Sequence, residues 1–331
     1  MLTTLKRRAE SAFPGIAIAL TIGFAASFLG EHYAAPAMLF ALLLGMALNF
    51  LYQDQRSAIG IEYSSRQILR FGVALLGFRI AFDDLLSIGW PVFGMIVAGV
   101  FSTILVGVLI ARLMGYRPRF GMLTGGAVGI CGASAALALS AALPKDQNNE
   151  RATVFVVVGV TSLSTLAMIV YPLISAQFGL SNTQAGIFFG ATIHDVAQVV
   201  GAGYSVSDSA GDIATLTKLL RVALLLPVVL MFAAVFRGSR EAGEKRPPLL
   251  PGFLVAFVVF AALNSLVELP AAFRDSMSAL SRLCLVTAIA AIGLKSDLRS
   301  MLTIGFKPVL LMLLETVWLA AFVLLGLHLL D

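Results

Sequence analysis

The sequence predicts an all-α polytopic membrane protein with about eleven transmembrane helices arranged as two inverted five-helix repeats. Three observations carry that reading. The 331 residues are 59% hydrophobic and only 12% charged, with a mean hydropathy of +0.94. A soluble chain carries about 25% charged residues, so this one lacks the polar side chains to cover a water-facing surface. Apolar runs close to the ~20 residues that span a hydrocarbon core recur along the chain. Finally, Lys and Arg are divided unevenly between alternate connecting segments.

In order, the apolar segments are Pro14–Phe28, Pro36–Tyr52, Gln67–Phe82, Pro91–Met114, Phe120–Leu143, Ala152–Phe178, Ala185–Tyr204, Ile213–Phe236, Leu249–Val267, Met277–Leu294 and Pro308–Leu330. The third is short and amphipathic. The first follows Lys6, Arg7 and Arg8, as a signal peptide would. No clear cleavage site leads into a soluble domain, so residues 1–33 read as an uncleaved extra helix.

Basic residues collect on the cytoplasmic side of a membrane. With the N-terminus inside, eleven crossings leave Lys6, Arg7, Arg8, Arg56, Arg66, Arg70, Arg112, Arg117, Arg119, Arg237, Arg240, Lys245, Arg246, Lys295, Arg299 and Lys307 on that side, 16 of the 23 basic residues. The outer side keeps Arg79, Lys145, Arg151 and Arg274, while Lys218, Arg221 and Arg282 fall within helices. The C-terminus is therefore expected outside. The net charge of +5 is explained by these membrane-flanking residues and gives no reason to expect nucleic acid as a partner.

A faint internal repeat underlies this map. LLLGMALNF (Leu42–Phe50) resembles IFFGATIHD (Ile187–Asp195) with Gly45 laid on Gly190, and the next helices share VALL at Val73–Leu76 and Val222–Leu225. Residues 34–180 then form one repeat (helices two to six) and residues 181–331 a second (helices seven to eleven). Five helices is an odd number, so the copies insert with opposite orientation, a common build for secondary transporters.

The fifth segment carries GGAVGICGASAALAL (Gly125–Leu139), and no charged residue lies between Phe120 and Pro144. Its glycines predict a break near Gly129–Gly132. Non-helical backbone at membrane depth is tolerated only where protein buries it or a cavity hydrates it. Freed N–H groups and the positive end of a half-helix there point at an anion. Gly121, Gly125 and Gly129 also have the spacing of close helix packing, the alternative use of such a run. The matching segment of the second repeat, LCLVTAIAAIGLKSDL (Leu283–Leu298), is weakened by Thr287 and Gly293 in a run of small residues. The expected substrate site comprises Gly129, Ile130, Cys131, Gly132, Ala133 and Ser134 facing Thr287, Ala288, Ala291 and Gly293.

Charge at the bilayer centre costs about 3 kcal/mol or more. His194 and Asp195 lie in the middle of the seventh helix, and a polar stripe from Thr192 through Asp195 to Gln198 runs along one face. His194 and Asp195 read either as a proton-coupling pair or as a polar contact between helices. Lys218 is placed to snorkel to the outer interface. Arg221 lies deeper, where a guanidinium suits an oxyanion or a gate. Glu315 is expected to pair with one of these cations. Cys131 and Cys284 both lie in apolar runs, so a disulfide framework is not expected.

GGAVGICGASAALAL, GATIHDVAQVVGAG (Gly190–Gly203), TKLLRVALLLP (Thr217–Pro227) and AIAAIGLKSDL (Ala288–Leu298) resemble the sulfate exporter family of bacterial integral membrane proteins over nearly the whole chain. The resemblance implies the architecture of bile-acid/sodium symporters and sodium/proton antiporters. In it a panel domain faces a core domain with two crossing unwound helices, here those holding Gly129–Ser134 and Ala288–Gly293. It also implies a bacterial inner membrane and a small inorganic or organic anion as cargo, with a proton or sodium as coupling ion. A homodimer is compatible with it. No nucleophile triad, HExxH, P-loop or metal-ligand cluster appears, so no enzyme, cofactor or metal site is expected. A secondary transporter is the leading reading, with an anion channel and an intramembrane enzyme as competitors.

Overall fold

The computed structural model describes residues 2–33, 37–79, 89–140, 142–143, 147–236, 252–267, 269–296 and 306–330. Every expected apolar segment is mainly helical in its described part, and no strand occurs among the described residues. Among the described residues, six helices are long and apolar enough to cross a membrane: Ser11–His32, Gly89–Leu113, Ala152–Gln177, Asp208–Val235, Ala271–Lys295 and Phe306–Leu330. The basic residues Lys145, Arg237, Arg240, Lys245, Arg246 and Arg299 lie outside the described residues, as does the end of the third expected span.

The chain forms two compact units, and each draws on both halves of the sequence. The first comprises Met1–Ser87, Val200–Asp212 and Gly252–Asp297, and the second Ile88–Val199, Ile213–Pro251 and Leu298–Asp331.

In the first unit, α1 (Leu2–His32), α2 (Ala37–Ala47), α3 (Gln55–Tyr63) and α4 (Leu69–Leu75) pack with α13 (Gly252–Leu266) and α14 (Ala271–Lys295). The third expected span is corrected here. The helical path starts at Gln55 and passes through a π turn at Ser64–Ile68 before a 3-10 turn ends it at Phe78. The charged residues that hid its start are neutralised locally, since Glu62 pairs with Arg66 at 2.7 Å and also with Lys295.

A second correction concerns Ala288–Gly293. The α14 helix runs unbroken through it to a cap at Ser296. The small residues serve contact instead. A Cβ on Gly45 would overlap the Ala290 carbonyl oxygen and come within 2.9 Å of Gly293 Cα, and one on Gly293 would overlap the Leu42 carbonyl. Backbones approach this closely only through glycine. The same holds where α1 crosses α3, since a Cβ on Gly60 would overlap the Ala12 carbonyl and lie 2.6 Å from Ile16 N.

The second unit contains α5 (Gly89–Leu113), α6 (Pro118–Gly129), α7 (Ala133–Ser140), α8 (Gln147–Gln177) and α9 (Asn182–Thr192). It also holds the first residues of α10 (Val196–Val206), most of α11 (Asp208–Ala223), and α12 (Leu225–Val235) and α15 (Phe306–Leu330). Helix α6 ends where the sequence predicts, at Gly129, and α7 resumes at Ala133. The second interruption is not in α14 but at Ile193–Asp195, between α9 and α10. The Thr192–Asp195–Gln198 stripe is therefore not one face of one helix.

Gly60→Ala should lower the melting temperature of the detergent-solubilised protein, because overpacking at a backbone contact costs about 1–3 kcal/mol. Gly94→Ala, with nothing within 4 Å of the added methyl, should leave it unchanged or slightly raised. Equal melting curves for the two variants would refute the close contact of Gly60 with Ala12 and Ile16.

Candidate functional site

Both interruptions belong to the second unit, and each leaves a helix C-terminus whose last carbonyls have no intrahelical donor. Two side chains from α11 supply the donors. Arg221 Nε donates to Gly129 O at 3.0 Å, Nη2 donates to Val128 O at 2.9 Å and Gly129 O at 2.8 Å, and Nη1 donates to Gly190 O and Ile193 O, both at 3.0 Å. Lys218 Nζ donates to Ile130 O at 2.7 Å and Ile193 O at 2.9 Å. Both side chains are completely buried.

This placement replaces one expectation: Lys218 does not snorkel to an interface. A guanidinium has five N–H groups, and all five hydrogen bonds of Arg221 end on backbone carbonyls. The physical reason is the helix dipole. Each C-terminal end carries about half a negative charge, and two such ends meet one lysine and one arginine.

The opposite ends face a carboxylate. Asp195 precedes α10 at its N-cap position, and its backbone N donates to Ser164 Oγ at 3.0 Å while its carbonyl accepts from Val199 N at 3.1 Å. Its Oδ1 lies against Gly132, the residue before α7, so closely that a Cβ there would overlap it. Gly132 is required for a second reason, its φ of +61°, which β-carbon-bearing residues rarely adopt. Asp195 and Lys218 are also near enough for their charges to interact. The crossing thus carries cations at its negative ends and an anion at its positive ends.

One side of the crossing is open. Ala133 and Asp195–Ala197 are half-buried and Ser134 is exposed, whereas Gly129–Gly132 are buried. Two further polar atoms of the unit, Gln198 Oε1 and Thr217 Oγ1, are buried with no hydrogen-bond partner. Buried polar atoms of this kind ordinarily have a partner, which makes them candidates for a ligand or water.

His194 is fully buried, and its Nε2 makes a 2.9 Å hydrogen bond with Thr316 Oγ1 of α15. The neighbouring Glu315 is also fully buried and makes no salt bridge among the described residues. It accepts from Thr124 Oγ1 at 2.6 Å. Thr287, Ala288, Ala291 and Gly293, expected opposite Gly129–Ser134, belong to the first unit, where Thr287 Oγ1 bonds Leu283 O within its own helix. Ser164, Thr316 and Thr124 were not singled out from the sequence. Thr316 carried one signal, its adjacency to Glu315, and the other two sit in ordinary small-residue runs.

These features define a polytopic helical membrane protein with an ionised centre at crossed, interrupted helices. The chain belongs to the family described as Conserved hypothetical protein 698, whose model matches residues 14–312. It is 51% identical to the UPF0324 membrane protein CT0845 of Chlorobaculum tepidum over 96% of this chain and 90% of the relative. It is also 51% identical to the UPF0324 membrane protein TauZ of Paracoccus denitrificans over 97% of this chain and 96% of the relative. A more distant UPF0324 membrane protein of Bacteroides thetaiotaomicron is 31% identical over 92% of this chain and 94% of the relative.

Arg221→Met keeps a similar volume but leaves five carbonyl bonds unmade, and several kcal/mol of stability should be lost. Size-exclusion profiles after a heating series should show little folded protein, with Arg221→Lys intermediate because it keeps the charge but not the fork. A wild-type melting profile for Arg221→Met would show that the carbonyls are satisfied some other way.

Proposed function

We propose that this protein is a secondary transporter of a small anion, working by alternating access, with its binding point at the crossing of the interrupted helices. The observation that carries the proposal is the pairing of two half-helix N-termini on the half-buried side of a crossing that holds two cations and one carboxylate. Backbone N–H groups at such ends bind anions without a dedicated side chain. Lys218, held at the same crossing, adds positive potential. The resemblance to sulfate exporters supplies the anion class, sulfate or a related oxyanion or sulfonate. The chain contains no nucleotide-binding motif, so a gradient drives the flux.

Asp195 supplies the coupling. Its carboxylate occupies the positive ends that an anion needs, and like charges at such separations repel strongly away from bulk water. Anion binding therefore requires Asp195 to take up a proton or a cation first. An anion channel is the second reading. It is disfavoured by interruptions that converge on one point instead of lining a continuous polar path. The membrane is the bacterial inner membrane, with the N-terminus cytoplasmic and the C-terminus periplasmic, and reporter fusions to the C-terminus test that orientation.

Radiolabelled sulfate uptake into proteoliposomes, with and without a pH or sodium gradient, tests the proposal. Saturable, trans-stimulated flux is expected. Asp195→Asn should keep exchange while losing gradient-driven accumulation at least tenfold, and Gly132→Leu should abolish binding by filling the crossing. Normal transport by Gly132→Leu would move the binding point elsewhere, and linear, unsaturable flux would favour the channel.

A further inference from the structure

Glu315 is the one fully buried carboxylate side chain among the described residues, and the crossing makes no direct use of it. It sits where α5 and α6 touch backbone to backbone. A Cβ on Gly121 would overlap the Gly107 carbonyl, and one on Gly107 would overlap Glu315 Oε1. Helix α15 packs on α5, α6, α8 and α9. The charged and titratable groups of those helices are the exposed Arg112 and Arg119 towards their ends, Glu150 and Arg151 at the start of α8, Tyr171 further along α8, and His194 just past α9. On α15 itself they are Lys307 and His328. None of the salt bridges of the described residues involves Glu315.

The hydrogen bonding sharpens the case. Thr124 Oγ1 lies 2.6 Å from Glu315 Oε1 and 3.3 Å from Gly121 O, and Glu315 Oε2 has no partner. A hydroxyl has one proton. When Thr124 gives it to Gly121 O, the short contact to Oε1 needs a proton from the carboxyl. An ionised carboxylate here would keep one oxygen wholly unpaired in an apolar surrounding, which is the most costly state available to it.

We propose that Glu315 is a proton-binding site that locks α15 to the half-helix α6. The next residue, Thr316, bonds His194 at the second interruption, so α15 holds both broken helices through consecutive side chains. Loss of the Glu315 proton would place an uncompensated charge at the α5–α6 contact and release that hold. The link to transport rests on the function proposed above, with the proton as coupling ion. The proton site itself does not.

The test is infrared spectroscopy of the purified full-length protein at neutral pH in H2O and D2O. The wild type should show the carbonyl stretch of a protonated carboxylic acid, downshifted in D2O, that Glu315→Gln lacks. Thr124→Val should keep the band and move it to higher frequency, which guards against poor folding of Glu315→Gln. Absence of the band in the wild type, or its persistence in Glu315→Gln, overturns the proposal even if sulfate flux is intact. A band assigned to Glu315 upholds the proton site even if sulfate is not transported. A sodium-dependent carboxylate band in its place would overturn it in favour of a cation site.

Discussion

Two helices of the second unit stop at buried positions, Gly129 and Thr192, where no water receives their last carbonyls. Everything distinctive about that unit follows from how those carbonyls are satisfied. Lys218 and Arg221 stand three residues apart on α11, on one face, and reach both interrupted helices at once. A cation buried alone would be prohibitive, and a helix end buried alone would be nearly so. Placed together each removes the other's cost, which is why neither could be lost singly.

The arrangement also explains why the residues around it are so constrained. Gly132 must be glycine for its left-handed backbone and again for the Asp195 oxygen beside it. Gly190 must be small because α11 crosses it there, with Thr217 Cβ only 2.5 Å from where a Cβ would sit. Asp195 balances the opposite half-helix ends and leaves the centre with a charge that depends on the state of one carboxyl. The half-buried Asp195 is the member of this centre that is not fully enclosed, whereas Lys218 and Arg221 are.

The sequence made some of this legible and hid the rest for identifiable reasons. The break after Gly129 could be read because glycine density acts locally on helix propensity. The break at Ile193–Asp195 could not, since Thr192–Ile193–His194–Asp195 has no helix-breaking residue and its freed carbonyl accepts from the tertiary donors Lys218 and Arg221. The small-residue run at Ala288–Gly293 carries the same local signal as Gly125–Gly132 but serves close packing against Gly45. Composition alone does not separate those two uses. Lys218 and Arg221 stood out as intramembrane charges, yet their partners are backbone atoms, which leave no mark in a side-chain pattern. The partner of Glu315 was a hydroxyl, not a cation, for the same kind of reason.

The two units use polar residues in opposite ways. The ion pairs of the first lie towards its edges: Glu62 with Arg66 and Lys295, then Arg79 with Asp212 at 3.0 Å and Arg282 with Asp208 at 3.7 Å. Its helices meet at glycine contacts such as Gly45 with Gly293 and Gly60 with Ala12. The second carries Lys218, Arg221, His194 and Glu315 at zero exposure. Glycine contacts at backbone distance occur in both units, at Gly45–Gly293 in the first and Gly107–Gly121 in the second. What sets the second apart is that ionisable side chains make its buried hydrogen bonds, at the two interruptions and on α15 beside them.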